Sequence, residues 1–327
     1  MTDDRGKRWY DLPPLFDPAA GRTVIEPPGG GPGWWAGACS AVYDDYAGCF
    51  YLYYRLRKPR ELGRGAECRI ARSDDGLRFT DIWCATKEQI ETPSMERACL
   101  LAMPSGEWRL YLSFVDPADG RWGIDLMRAG RPDAFDPARR KPILTADQIA
   151  AEGVKDPYVL IAGGLVMMIV SYAPTPARPA SRDEMHATGD VYNTGLTKSH
   201  SGLAVSGDGL TFEWKGDILS PGDGWDAYCA RIGTLLHTPP VWTAFYDGSA
   251  GVDQNYEEKT GLAVTLDLAH FERVTTREPA LVSPHASGSL RYADAVVAGG
   301  EIHYYYEYAR PDGSHELRAS VVPSPGP

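Results

Sequence analysis

The feature that most limits what this chain can fold into is a pattern of apolar segments recurring about every sixty residues along its length. Short runs rich in Tyr, Val, Ile and Leu ("CFYLYYRLR", "EWRLYLSFV", "LVMMIVSYA", "VWTAFYDG" and "EIHYYYEYA") are punctuated by Gly, Asp and Pro. They read as strands separated by tight turns. Each follows another apolar strand, and the paired segments can be laid over one another. They are "GACSAVYDDYAGCFYLYY" from Gly37, "ERACLLAMPSGEWRLYLSF" from Glu96, "KDPYVLIAGGLVMMIVSY" from Lys155, "RIGTLLHTPPVWTAFYDG" from Arg231 and "RYADAVVAGGEIHYYYEY" from Arg291. The starts, at 37, 96, 155, 231 and 291, lie 59, 59, 76 and 60 residues apart. Helical periodicity is nearly absent, with one short helix expected around Thr145–Gly153.

A second marker has the same period. "ARSDDGLRFTDI" (Ala71–Ile82) and "AVSGDGLTFEWKGD" (Ala204–Asp217) are nearly the same sentence, and "AVTLDLAHFERV" (Ala263–Val274) is a weaker copy. In each, a strand ends in a Ser/Thr-x-Asp turn and a Phe returns, which reads as packing between neighbouring sheets. The long third interval has a visible cause: residues 174–201, "PTPARPASRDEMHATGDVYNTGLTKSHS", form a Pro-, Ser- and Thr-rich insertion. Five repeats, each a four-stranded antiparallel sheet, predict an all-β, five-bladed β-propeller around a central channel, one domain over 1–327. A pair of β-sandwiches would not account for an end-to-end period.

In that architecture the first residues of the five innermost strands converge at one mouth of the channel. The converging set is Glu96–Arg97, Lys155–Asp156, Arg231 and Arg291–Tyr292, whereas the first repeat supplies only Gly37–Ala38–Cys39. Asp247 and Glu307 end second strands at the same mouth. Trp34 and Trp35 in "GPGWW", and Trp225 and Tyr228 in "GWDAY", precede inner strands and suit sugar faces. Acids, bases and aromatics gathered in a concave site are what glycosyl chemistry uses: one carboxyl protonates the leaving oxygen, and another activates water or attacks. Each has a plainer reading beside it: a solvated turn for Asp156 and Asp226, a salt bridge for Glu96–Arg97, and bracing of adjacent sheets for Arg55, Arg231 and Arg291.

The five-fold pattern, the "KDPYV" strand start and the "SDDGLRF" turns resemble the five-bladed propeller glycosidases of glycoside hydrolase families 43, 32, 68, 117 and 130. "YLYYRLR", "RIGTLLHTPPVWTAFYDG", "YEEKTGLAVTLDLAHFERVTTREPALVSP" and "GGEIHYYYEYA" are similar, in that order, to stretches of family 130 mannoside phosphorylases and hydrolases. The resemblance implies that Asp156 tunes the acid and orients substrate. It implies that Glu96 and Arg97 partly match an acidic strand start, and that Arg55 contacts sugar or phosphate. Family 43 also uses a first-blade Asp as base, and Gly37–Ala38–Cys39 supplies none; the nearest acid to its fourth-blade Glu is Asp226.

The expected catalytic residues are therefore Asp156, Glu96 and Asp226. The expected substrate contacts are Arg55, Arg97, Lys155, Arg231, Arg291, Tyr292, Trp35, Trp225, Asp247 and Glu307. The expected activity is hydrolysis of a small glycoside or oligosaccharide; inorganic-phosphate-dependent phosphorolysis and carbohydrate binding without catalysis are the alternatives.

No cofactor and no metal are expected, because the seven His and six Cys show no ligand spacing. His237 and His303 read as packed. A net charge of −11 argues against nucleic-acid or anionic-membrane partners. The N-terminal stretch lacks an apolar signal core and "LVMMIV" is too short to span a bilayer, so a cytoplasmic location is expected.

Overall fold

A computed structural model describes residues 12–63, 65–178, 180–186 and 189–324. The extreme N-terminus and three residues of the insertion, 179, 187 and 188, thus lie outside the described residues. The fold is all-β. After β1 (Arg22–Ile25) come β2 (Trp35–Asp44), β3 (Cys49–Arg57), β4 (Glu67–Ser73) and β5 (Thr80–Thr86), then β6 (Met95–Ala102), β7 (Trp108–Val115), β8 (Trp122–Ala129) and β9 (Lys141–Leu144). Next are β10 (Ala151–Ala162), β11 (Leu165–Pro174), β12 (His200–Ser206) and β13 (Glu213–Leu219), then β14 (Cys229–Thr238), β15 (Val241–Ser249), β16 (Lys259–Thr265) and β17 (Glu272–Arg273). The last are β18 (Leu290–Ala298), β19 (Glu301–Ala309) and β20 (His315–Pro323).

β6–β9, β10–β13 and β14–β17 are each a four-stranded antiparallel sheet in chain order. The remaining strands form an eight-stranded sheet in two halves, β2–β5 and β18–β20 with β1 on the outer edge of β20. A single parallel pair, Trp35 with His315, joins the halves. The first strands touch in sequence: β2 meets β6, β6 meets β10, β10 meets β14, β14 meets β18, and β18 meets β2. Apolar clusters fill the spaces between sheets, for example Tyr53, Ile70 and Cys68 against Leu100, Leu110 and Leu112.

The repeated turn has one construction in three places. Ser73, Ser206 and Thr265 each accept from the amide three residues on, while Asp75, Asp208 and Asp267 each accept from two following amides. The turn needs a left-handed residue, supplied by Gly76 and Gly209 and, in the weaker copy, by Leu268 at φ 62°. Phe79 packs edge-on against Tyr305, and Phe212 against Tyr111, each tyrosine lying in the adjacent unit. The phenols of Tyr305 and Tyr111 donate to the carbonyls of Gly76 and Gly209, so the turns tie neighbouring sheets together.

The helix expected at Thr145–Gly153 is a single 3-10 turn, Asp147–Ile149. Thr145 and Gln148 cap it reciprocally, but Ala150 turns left-handed (φ 52°) and β10 begins at the next residue. The Ala151 amide donates back to the Ala146 carbonyl, which closes the turn, and Ala151 then pairs with Pro174 of β11. The insertion contains a short helix, Arg182–His186, and a 3-10 turn, Val191–Asn193. Met185, Val191 and Tyr192 pack with Val115, Trp122 and Ala173, which anchors the insertion across two sheets.

Candidate active site

Every first strand carries a β-bulge near its start. The irregularities fall between Gly37 and Ser40, Met95 and Ala98, Lys155 and Tyr158, Ile232 and Thr234, and Arg291 and Asp294. Bulges bend a strand and re-aim side chains. In three of them the second residue of the start is left-handed: Ala38 at φ 54°, Asp156 at 55° and Tyr292 at 50°. For a non-glycine residue this conformation costs about 1–2 kcal/mol. The neighbouring sheet holds it in place. The Asp156 amide donates to Ser113 Oγ of β7 at 2.7 Å, and the Tyr292 amide donates to the Asp247 carboxylate of β15 at 3.0 and 3.1 Å.

The alignment of Gly37, Lys155 and Arg291 matches this register. For β6 it is one residue out, because Met95 pairs with Phe114 and the bulge opens at Glu96. Glu96 therefore corresponds to Asp156, not to Lys155.

The bulges bring most of the expected residues together. Arg55 Nη1 donates to both oxygens of Glu96, at 2.6 and 2.7 Å. Arg231 donates to Asp156 at 3.2 Å and to Asp247 at 3.1 and 2.8 Å. Arg291 donates to Glu307 and to Glu258, both at 2.7 Å. Lys155 Nζ lies 3.7 Å from Asp156 and over the rings of Trp122 and Tyr192. The Tyr292 phenol stands 3.4 Å from Glu96 Oε2 and 3.4 Å from Asp156 Oδ2, with Arg231 over its ring at 4.1 Å. Trp35 stacks on His315, and Arg291 lies over its ring. All of these charged groups are buried.

Charge states follow from these neighbours. Burial works against the charge of Glu96, but Arg55 and the nearby Lys155, Arg57 and Arg291 outweigh it and keep the carboxyl below its ordinary range. Glu307 is likewise held low by Arg291 and His315 against its burial, and Glu258 is brought down to about 2 by Arg231 and Arg291. Burial pushes the Asp247 carboxyl up, and it pushes the Tyr292 phenol well up, so the phenol keeps its proton. His315, between Glu257 and Glu307, holds its proton more tightly than usual despite burial.

Three expected residues lie elsewhere. Asp226 accepts from Tyr246 at 3.0 Å and from Arg273 at 2.6 Å, and Trp225 donates to the Thr275 carbonyl and stacks on Tyr246. None of these partners belongs to the cluster; the two residues brace the β14–β17 sheet. Arg97 pairs with Asp294 of β18 at 3.6 Å instead of with a cluster acid.

The structure adds Arg57, Glu258 and His315, which sequence reasoning missed. Arg57 is two residues beyond Arg55 and so on the same face of β3. Glu258 and His315 stand at the starts of third strands, which an antiparallel meander returns to the same end as the first. That geometry was the available signal. The insertion also reaches the cluster: Asp190 accepts from Trp122 Nε1 and from the Tyr256 phenol, and Asn193 bonds to Tyr256.

The first repeat has no acid, and the space is used. A Cβ on Gly37 would meet Glu307 Oε2 at 1.9 Å, so the glycine admits a carboxylate from β19. Among the described residues, no cluster of three or more His, Cys, Asp or Glu could hold a metal ion, and no helix is long and apolar enough to cross a membrane. A groove of about 1190 Å³ lies away from the cluster, along Glu107, Arg128, Arg140 and Lys141.

No protein-family model matches the chain. No curated protein matches it in sequence either. Solved structures do match in fold. The beta-1,2-mannobiose phosphorylase from Listeria innocua, in complex with beta-1,2-mannobiose, aligns with a TM-score of 0.62 at 16% identity, over 92% of this chain and 94% of that one. A thermostable family-43 glycoside hydrolase aligns at 0.65 and 12% identity, over 89% and 93%. A member of the family 130 mannoside phosphorylases, a family that contains hydrolases of beta-1,2 mannosidic linkages in Candida mannan, aligns at 0.58 and 13%, over 89% and 86%. The resemblance to the propeller glycosidases read from the sequence is thus borne out at the level of fold.

Proposed function

We propose that the chain is one closed, five-bladed propeller that cleaves a glycosidic bond of a small glycoside or oligosaccharide where its five first strands begin. The ring of contacts from β2 through β18 and back supports closure. The observation that carries the activity is the placement of Glu96 and Asp156 on either side of the Tyr292 phenol, 3.4 Å from each.

Glu96, kept ionised beside Arg55, stabilises the positive charge that develops at the anomeric carbon and attacks it. Asp156, whose Oδ1 has no hydrogen-bond partner, is assigned the role of general acid. In this structure its carboxylate accepts from Arg231 and faces Lys155, so it must take up a proton before each turnover, and it gives that proton to the leaving oxygen. Water then cleaves the glycosyl ester, with Asp156 taking the proton back. The phenol between them donates to whichever carboxylate is charged. The two facing oxygens lie no further apart than twice 3.4 Å. That bound applies to one oxygen of each carboxylate. Between the carboxyl groups it admits both the separation of about 5–5.5 Å used for retention and part of the range of about 6.5–9.5 Å used for inversion.

A panel of nitrophenyl furanosides and pyranosides, assayed with and without inorganic phosphate, tests the proposal. Full turnover by Asp156→Asn on a substrate so found would overturn the assignment. Phosphorolysis is the second reading, favoured by the missing acid at Ala38 and by the likeness to the Listeria phosphorylase. It requires turnover that depends on phosphate and yields a sugar 1-phosphate. Saturable sugar binding with no product at high protein concentration would leave carbohydrate binding alone.

A further inference from the structure

Arg57 is the cluster's unmatched charge. Its side chain is 2% exposed, and among the described residues no carboxylate comes within ion-pair distance of it, whereas Arg55, Lys155, Arg231 and Arg291 each have one. Instead it lies in the corner of two inclined rings, 4.2 Å from the centroids of both Trp35 and Tyr256. Aromatic faces attract a cation but cannot accept its in-plane N–H groups. Arg57 Nε and Nη1 have no hydrogen-bond partner. Burial, with Arg55 and Arg291 close by, makes the guanidinium easier to deprotonate, bringing it down to about 10.

The surrounding unpartnered atoms are mainly donors. Arg55 Nε and Nη2, Arg291 Nη2 and Trp35 Nε1 are also buried without a partner. With Arg57 Nε and Nη1 they are six donor atoms. Arg55 Nη2 stands 3.8 Å from Glu307 Oε2, an ion pair without a hydrogen bond. That leaves five donors against one acceptor, Asp156 Oδ1, and the Tyr192 hydroxyl, which can do either. A hydroxyl both gives and takes a hydrogen bond, so neutral sugar hydroxyls would leave most of these donors unmet. A carboxylate only accepts, at about four lone-pair sites, and its plane matches the edge of a guanidinium. A single negative charge completes one unmatched arginine, whereas a phosphate dianion would also stand against Glu96 and Glu307. The chain's net charge of −11 opposes capture of long polyanions, so the acid is a short one.

We infer that Arg57, with Arg55, Arg291 and the Trp35 indole N–H, binds a carboxylate carried by the sugar, which makes the substrate an acidic glycoside of the uronide class. The inference rests on the reading of the cluster as a sugar site. Calorimetric titration of the protein with D-glucuronate, D-galacturonate and D-mannuronate, each beside its neutral parent sugar and beside inorganic phosphate, is the direct test. At least one uronate binds tenfold or more tightly than its parent, and Arg57→Met removes that margin.

Neutral sugars that bind as tightly as uronates overturn the inference, as does inorganic phosphate that competes with and outbinds them. If Arg57→Met does not fold, the wild-type comparison decides. Cleavage is scored separately: a protein that binds a uronate but hydrolyses no nitrophenyl uronide supports this site and refutes the glycosidase reading.

Discussion

Arg55 holds both carboxylate oxygens of Glu96 through one nitrogen, at 2.6 and 2.7 Å, with both side chains buried. Removing one partner of such a pair strands the other charge, at a cost of about 3–5 kcal/mol. Arg55→Met is expected to lower the midpoint of urea unfolding accordingly, and the double change with Glu96→Gln to recover much of the loss. A double variant whose loss equals the sum of the two single losses would show that the two groups are not coupled.

The assignment of Glu96 as nucleophile makes a stereochemical prediction. On any glycoside that is cleaved, the first product seen by proton NMR should keep the anomeric configuration of the substrate. Inversion would overturn Glu96 as nucleophile and make it the base that activates water.

Glu307 occupies the space in front of Gly37. Gly37→Ala should displace it from Arg291 and His315, destabilising the fold by about 1–3 kcal/mol as an overpacked core does. Gly207→Ala is the control, since a Cβ there meets nothing within 4 Å. Calorimetric melting of the two variants would separate them, and similar melting points would contradict the contact.

Stability should depend on pH from two directions. Glu258 binds its proton less readily folded, at about 2, than unfolded, near 4.5, and Glu307 shifts in the same sense. Their contribution is complete above about pH 4.5 and is lost as the pH falls through the folded values; Asp247 and Asp294, shifted up by burial, titrate the opposite way. His315 binds its proton more readily folded, so its contribution is complete below 6.5 and disappears as the pH rises through the folded value. Melting curves from pH 2 to 9 should fall on both limbs. Glu258→Gln should flatten the acid limb and His315→Gln the alkaline one.

Ala150 is exposed and left-handed where the 3-10 turn gives way to β10. Ala150→Gly should be neutral or stabilising by up to about 1 kcal/mol, since relief of strain is partly offset by unfolded-chain entropy. Ala150→Val should melt lower. The opposite order would show that the turn does not require this conformation.

The repeat and the strand starts were legible because strand pairing imposes a period of two and each sheet repeats the same meander. Lys155, Arg231 and Arg291 could be placed by alignment alone. Glu96 was misplaced by one residue because a bulge's position depends on which cross-strand pair closes first, here Met95 with Phe114. Glu258 and His315 lie beyond an alignment of first strands and second-strand ends because they open third strands, whereas Arg57 ends β3 itself, two residues past Arg55 on the same face. Asp226 could not be placed because a loop's path depends on packing: Trp225 fits over Gly248 and Gly261, where a Cβ would meet its ring, and this carries Asp226 towards Arg273.

The amides of Asp156 and Tyr292 are each held by a side chain from the sheet before, Ser113 and Asp247. The bulges at Asp156 and Tyr292 are therefore held from outside their own sheets. A chain with the β6–β9 or the β14–β17 sheet undocked would lose the orientation of a group belonging to the next sheet, so a fault in one sheet appears as a defect in its neighbour.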